Sequence, residues 1–144
     1  MPISEYPFQA IHPGSRPRPM LPIRIINPHT GSSMQSWGLV DTGADDCAIP
    51  ASYAAILGHA LTAGAVKQIT TGNGATNSYA HTTRIEIMPI GGASGHVAYV
   101  IPDAPVDFLP NLGVILLGTN KFLSKFILTI DYPRKVFSIK TPKG

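Results

Sequence analysis

What the chain lacks narrows it first. Cys47 is its only cysteine, so no internal disulfide can form. Only 13% of its residues are charged, and the formal net charge of +3 is small and scattered, which argues against nucleic acid as a partner. The exception is a late basic group, Arg134, Lys135, Lys140 and Lys143, which reads as a solvated strand edge. The sequence has no apolar run of about 18 residues, so no membrane span is expected. Its first residues, Met1-Pro2-Ile3-Ser4-Glu5-Tyr6-Pro7, lack the charged and apolar regions of a secretory signal, and a cytoplasmic location is the expectation. The histidines (His12, His29, His59, His81, His96) are dispersed and form no His-Glu-x-x-His. They read as surface or turn residues, and neither a metal nor another cofactor is expected.

What is present points to strands and turns. With 144 residues and 44% hydrophobic content, the chain is long and apolar enough to bury one core. Fourteen glycines and fourteen prolines, with frequent β-branched residues, favour an all-β fold over a helical one. Cys47, at the start of an apolar segment, reads as a small buried hydrophobe rather than a reactive thiol. Trp37 reads as a core or interface aromatic.

Residues 1–20 are Pro-rich and aperiodic, an arm that is either mobile or laid over a surface. The main domain is expected over residues 21–144. It opens with a strand at Leu21–Ile26, a turn at Asn27–Gly31, and a returning strand at Ser33–Val40. Ile49–Gly58 suits a short helix, with Pro50 early, alanines inside and Gly58 to end it. Lys67–Thr71 and Asn77–Met88 flank Gly72-Asn73-Gly74-Ala75, a strong hairpin signal. Gly91–Gly95 reads as a loop and His96–Ile101 as a strand. Pro102–Pro110, with three prolines and two aspartates, reads as a loop. Gly113–Gly118 is an apolar run closed by glycine, as in a strand buried on both faces. One or two helical turns over Thr119–Lys125 and a hairpin of Phe126–Ile130 with Val136–Ile139 complete the chain.

One stretch organises the rest: Leu39-Val40-Asp41-Thr42-Gly43-Ala44-Asp45-Asp46. It holds three of the chain's eight acidic residues. A carboxylate at the end of an apolar strand, in a tight glycine turn, is costly to place and is usually kept where chemistry needs it. The octet closely resembles the Asp-Thr-Gly-Ala-Asp-Asp signature of retropepsin-type aspartic proteases. Leu116-Leu117-Gly118-Thr119-Asn120-Lys121-Phe122-Leu123 is similar to the family's second hallmark, a bracing strand followed by a short helix. A glycine there lets two backbones come close. The Gly72-Asn73-Gly74 hairpin sits where the family keeps its flap. Ile130-Asp131-Tyr132-Pro133-Arg134 looks more like bacterial or cellular single-domain members than viral ones. The resemblance spans about residues 21–140. It implies an all-β, single-domain acid-protease barrel with a flap hairpin and one or two short helices.

The resemblance also implies an activity, aspartic endopeptidase, with a polypeptide as substrate. The chain has one Asp-Thr-Gly, so the second carboxylate must come from another copy, and a homodimer is implied. Asp41, Thr42 and Gly43 are then the catalytic turn, with Thr42 orienting the paired loops. Ala44, Asp45, Asp46, Gly72, Asn73 and Gly74 would contact substrate. Ala44 lacks the hydroxyl that pepsin-like enzymes use to donate to the catalytic carboxylate. Viral members carry Arg after the late glycine, paired with the first Asp beyond the alanine; here that position is Thr119, which leaves Asp45 without that partner. The dimer interface is expected to recruit the chain ends or the late turn around Phe122 and Phe126. The alternative is a non-proteolytic dimerisation or peptide-binding module on the same fold.

Overall fold

The computed structural model describes residues 2–71, 74–89 and 97–142. Ten strands carry the architecture: β1 (Pro2–Pro7), β2 (Met20–Ile26), β3 (Ser33–Val40), β4 (Cys47–Pro50), β5 (Ala65–Thr71), β6 (Gly74–Ile87), β7 (Tyr99–Leu109), β8 (Ile115–Leu117), β9 (Ile127–Asp131) and β10 (Val136–Lys140). Among the described residues, helix is confined to α1 (Tyr53–Ile56) and two 3₁₀ turns, Leu61–Ala63 and Leu123–Lys125.

Six strands close a barrel in the order β2-β3-β8-β4-β7-β6, and β6 pairs back onto β2 through Ile23↔Ile87 to Ile26↔Arg84. Closure leaves none of these six as a fully open edge. The pairs β3–β8 and β4–β7 are parallel. β5 adds to β6 outside the barrel and, among the described residues, pairs with no other strand. Alternation explains the interior: Leu21, Ile23 and Ile25 on β2 point inward, with Ile85 and Ile87 of β6, Phe108 of β7 and Leu117 of β8.

The residues read as an arm form a second, three-stranded sheet with order β1-β10-β9. They lie over the late hairpin: Tyr6 and Phe8 pack on Phe137 at ring-centroid distances of 5.8 and 6.4 Å. Arg134 clamps the corner through Glu5 at 2.6 Å and Asp131 at 2.7 Å.

Four sequence expectations are corrected. Pro102–Pro110 is mostly strand, because β7 runs through Pro102 and Pro105 to Leu109. Up to Pro105, β7 pairs only with β6, and β4 joins it from Val106 onward. A missing N–H is tolerated on such a locally open side. The expected helix over Ile49–Gly58 shrinks to the single turn α1, because Ile49 and Pro50 pair with Phe108 and Leu109 in the barrel. Gly58 does end it, at φ +74°. Phe122 and Phe126 are core side chains, at 0% and 9% exposure, rather than exposed contact residues. His96 and Gly91–Gly95 lie outside the described residues.

The fourth correction concerns the histidines. His59 and His81 are half-buried and face one another, with ring centroids 4.5 Å apart, and both rings lie edge-on to buried Phe108. His81 Nε2 lies 2.9 Å from the Leu61 carbonyl oxygen. His59 Nε2 is buried with no hydrogen-bond partner. Burial, and then the neighbouring His81 and His29, lower the His59 pKa from its ordinary 6.5. The folded protein therefore holds that proton less tightly than the unfolded chain. The stabilising contribution of neutral His59 is complete above about pH 6.5 and is lost on acidification through and below it. His59→Phe should flatten the fall in the urea-unfolding midpoint between about pH 7.5 and pH 5. An unchanged slope would show that the pair does not carry it.

Candidate active site

β3 delivers Asp41 from the barrel wall. Val40 pairs with Leu117 of β8, and the Asp41 N–H donates to the Leu117 carbonyl at 3.1 Å. The chain then turns: the Gly43 N–H donates to Asp41 Oδ1 at 3.0 Å, and the Ala44 N–H donates to the Asp41 carbonyl at 3.2 Å. Thr42 and Gly43 are exposed, while Asp41 and Ala44 are partly covered. The result is a half-exposed carboxylate fixed by its own turn, just past the buried Val40 that ends β3. Such an oxygen can accept or give up a proton to a bound molecule.

The late segment crosses beneath this turn. A Cβ on Gly118 would lie 2.5 Å from the Asp46 carbonyl oxygen and 2.9 Å from that of Ala44, so only glycine fits. The Thr119 N–H donates to the Ala44 carbonyl at 2.9 Å, and the Asn120 N–H to the Asp45 carbonyl at 2.7 Å. The Thr119 hydroxyl oxygen lies 3.3 Å from both carbonyl oxygens, so its one proton is shared between them. The residue standing where viral proteins have Arg thus binds the turn's backbone rather than a carboxylate. Among the described residues, no hydrogen bond or ion pair engages the Asp45 carboxylate.

Asp46 is held from two sides. Its Oδ1 accepts from Asn120 Nδ2 at 3.3 Å, and its Oδ2 lies 3.6 Å from Lys67 Nζ on β5. Lys67 also pairs with Asp107 of β7 at 2.9 Å. Cys47, next in sequence, is 2% exposed, and burial, with the Asp46 and Asp107 charges, pushes its thiol up to about 11, an inert state at neutral pH.

Asp41 to Asp46 thus form one continuous turn. Gly74 opens β6 opposite Thr71, at φ +100°, with nothing within 4 Å of where a Cβ would stand. Gly72 and Asn73 lie outside the described residues. Lys67, Asp107 and Asn120 were missed by the sequence reading. The alternation of Val106-Asp107-Phe108 was the available signal for Asp107, hidden by the flanking prolines. Trp37, 38% exposed on β3, is not a core residue. A cavity of about 360 Å³ opens beside Leu39 and Val40, walled by Arg16, Arg18 and Pro19 of the arm. Among the described residues, no group of three or more His, Cys, Asp or Glu side chains is placed to hold a metal, and no helix is long and apolar enough to cross a membrane.

A closed six-strand barrel with this turn braced by a late glycine strand is a retropepsin-like fold. The chain belongs to the gag-polyprotein putative aspartyl protease family, whose profile matches residues 35–125. Among solved structures, it is similar to a retropepsin-like aspartic protease from Rickettsia conorii, at 20% identity and a TM-score of 0.58, over 96% of this chain and 89% of that one. No curated protein matches it.

The crossing at Gly118 makes a sharp prediction. Gly118→Ala should cost about 1–3 kcal/mol of unfolding free energy, because the new methyl meets rigid backbone on β4's approach. Gly113→Ala, where a Cβ meets nothing within 4 Å, should cost far less. Equal urea midpoints for the two variants would contradict the crossing.

Proposed function

We propose that this chain is one half of a homodimeric aspartic endopeptidase. Family and fold support a protease role. The observation that carries the finer reading is the Asp41 turn: a partly exposed carboxylate at a strand end, oriented by the Gly43 N–H and braced from below. Hydrolysis of an amide by water needs a base to take the water's proton and an acid to protonate the carbonyl oxygen. Two carboxylates about 3 Å apart share one proton, because both cannot ionise together, and so supply both roles. Each chain has one such turn, so two copies meeting on a two-fold axis would complete the pair.

In that dimer the water is deprotonated by the ionised Asp41 and attacks the scissile carbonyl. The protonated Asp41 of the other copy gives its proton to the carbonyl oxygen. Collapse of the tetrahedral intermediate transfers a proton to the leaving nitrogen and returns the shared-proton state. Thr42, exposed beside Asp41, would bond across the axis, and the Gly43 backbone would face the peptide. Asp45, unengaged among the described residues, is free to accept from the substrate backbone. The β5–β6 hairpin would cover the peptide and exclude water.

Asp41→Asn should abolish cleavage of a peptide library while leaving the urea midpoint near that of wild type, since one substitution removes both carboxylates. A folded Asp41→Asn protein cleaving at the wild-type rate would overturn the mechanism. Specific activity should also fall on dilution below the dimer dissociation constant. Wild-type protein that binds peptides but never cleaves them at any pH would favour the binding-module reading.

A further inference from the structure

β5 is held by a single neighbour. Lys67 to Thr71 pair with Ser78 to Gly74, and only from Tyr79 inward does β6 gain β7, through Tyr79↔Phe108. The outer part of this hairpin therefore projects beyond the barrel. From Ser78 to Gly74 it extends about 13 Å, at roughly 3.3 Å per residue. Sheet hydrogen bonds do not decide where such a projection points; whatever fastens its root does.

One charged side chain stands at that root. Lys67 lies opposite Ser78, one residue beyond the last rung shared with β7. Its ammonium donates to Asp107 at 2.9 Å, and Asp107 lies opposite Ala80 on β6 and Ala48 on β4. The same nitrogen lies 3.6 Å from Asp46, on the loop that follows Asp41. Asp107 is 9% exposed, so its charge has little water to turn to. Ser78, opposite Lys67, is fully buried and its hydroxyl has no protein partner among the described residues, so this face of the root is packed against protein. The opposite face of β6 is packed separately, His81 on His59 and Phe108, and that contact holds the inner half of the strand.

We propose that Lys67 is a positioning residue whose ammonium, fixed by Asp107, ties the projecting β5–β6 hairpin to the Asp46 loop and so sets where the hairpin sits over the site. The functional part of this inference rests on the peptidase reading. Lys67 touches no reacting atom. It is one cation between two carboxylates that would otherwise repel, one on the barrel and one beside the catalytic turn. Removing it frees the lever at its fulcrum and lets the outer hairpin swing, without loosening the barrel half of β6.

The test compares wild type, Lys67→Arg, and the double variant Lys67→Met with Asp107→Leu. The double variant removes the pair without stranding a buried charge, so it should fold. Amide exchange should accelerate over residues 66–71 and 74–78 in the double variant and stay unchanged over 80–87 of β6, with wild-type rates restored in Lys67→Arg. With a cleaved peptide, KM should rise about threefold to tenfold in the double variant with kcat little changed, because the tie acts on binding. Unchanged exchange over the outer hairpin would overturn the proposal. So would acceleration spread evenly into 80–87, which would mark a merely structural pair, or failure of Lys67→Arg to restore the wild-type rates. Exchange does not depend on turnover, so a wild type that cleaves nothing would remove the peptidase reading while exchange still decides whether the tie exists.

Discussion

The structure depends on a close crossing of two backbones. The strand carrying Leu117-Gly118 passes under the Asp41–Asp46 turn so tightly that a single methyl at Gly118 would overlap two carbonyl groups. Two backbone hydrogen bonds, from the Thr119 and Asn120 N–H groups, lock the turn's carbonyls at that crossing, and the Thr119 hydroxyl lies within reach of the same two oxygens. A strand end would ordinarily fray, and a carboxylate on it would adopt many rotamers. Here the turn has backbone bonds above and below, and the Asp41 carboxylate takes a defined place on the surface. The crossing also explains the barrel order, since β8 must lie between β3 and β4 to reach the turn from beneath.

Around that crossing the elements differ in how many strands flank them. The barrel closes on itself, and the arm and late hairpin cap one end through aromatic packing and the Arg134 clamp. Among the described residues, the outer part of the β5–β6 hairpin has no third strand beside it, and its root is held by an ion pair on one face and a histidine contact on the other. The Asp46 loop is bonded to Asn120 below and lies near Lys67 of β5.

Much of this was legible in the sequence where the signals are local. Asp-Thr-Gly after an apolar strand, the late Leu-Leu-Gly and the Asn-Gly hairpin each state their backbone requirement in a few adjacent residues. The parts that were hidden depend on contacts between distant segments. Prolines at 102 and 105 read as loop because nothing in the sequence says that one side of β7 is open there. His59 and His81 read as solvated because their facing across the hairpin root is set by tertiary packing. Phe122 and Phe126 looked free for an interface because the turn carrying them gives no sign that it seals the core. Lys67 and Asp107 are 40 positions apart in sequence and meet only once β5, β6 and β7 are laid side by side. Thr119 looked like a loss, and its hydroxyl instead takes up the brace.

The central claim is that each chain carries half of a catalytic site and that Asp41 must come from both. Subunit mixing tests it most directly. Wild-type and Asp41→Asn protein are combined in varied ratios at fixed total concentration, exchanged to equilibrium, and assayed for peptide cleavage. A shared site requires activity to follow the square of the wild-type fraction, about a quarter of full activity in an equal mixture. Activity that falls linearly, to about half in the equal mixture, would show that one chain suffices and would contradict the account.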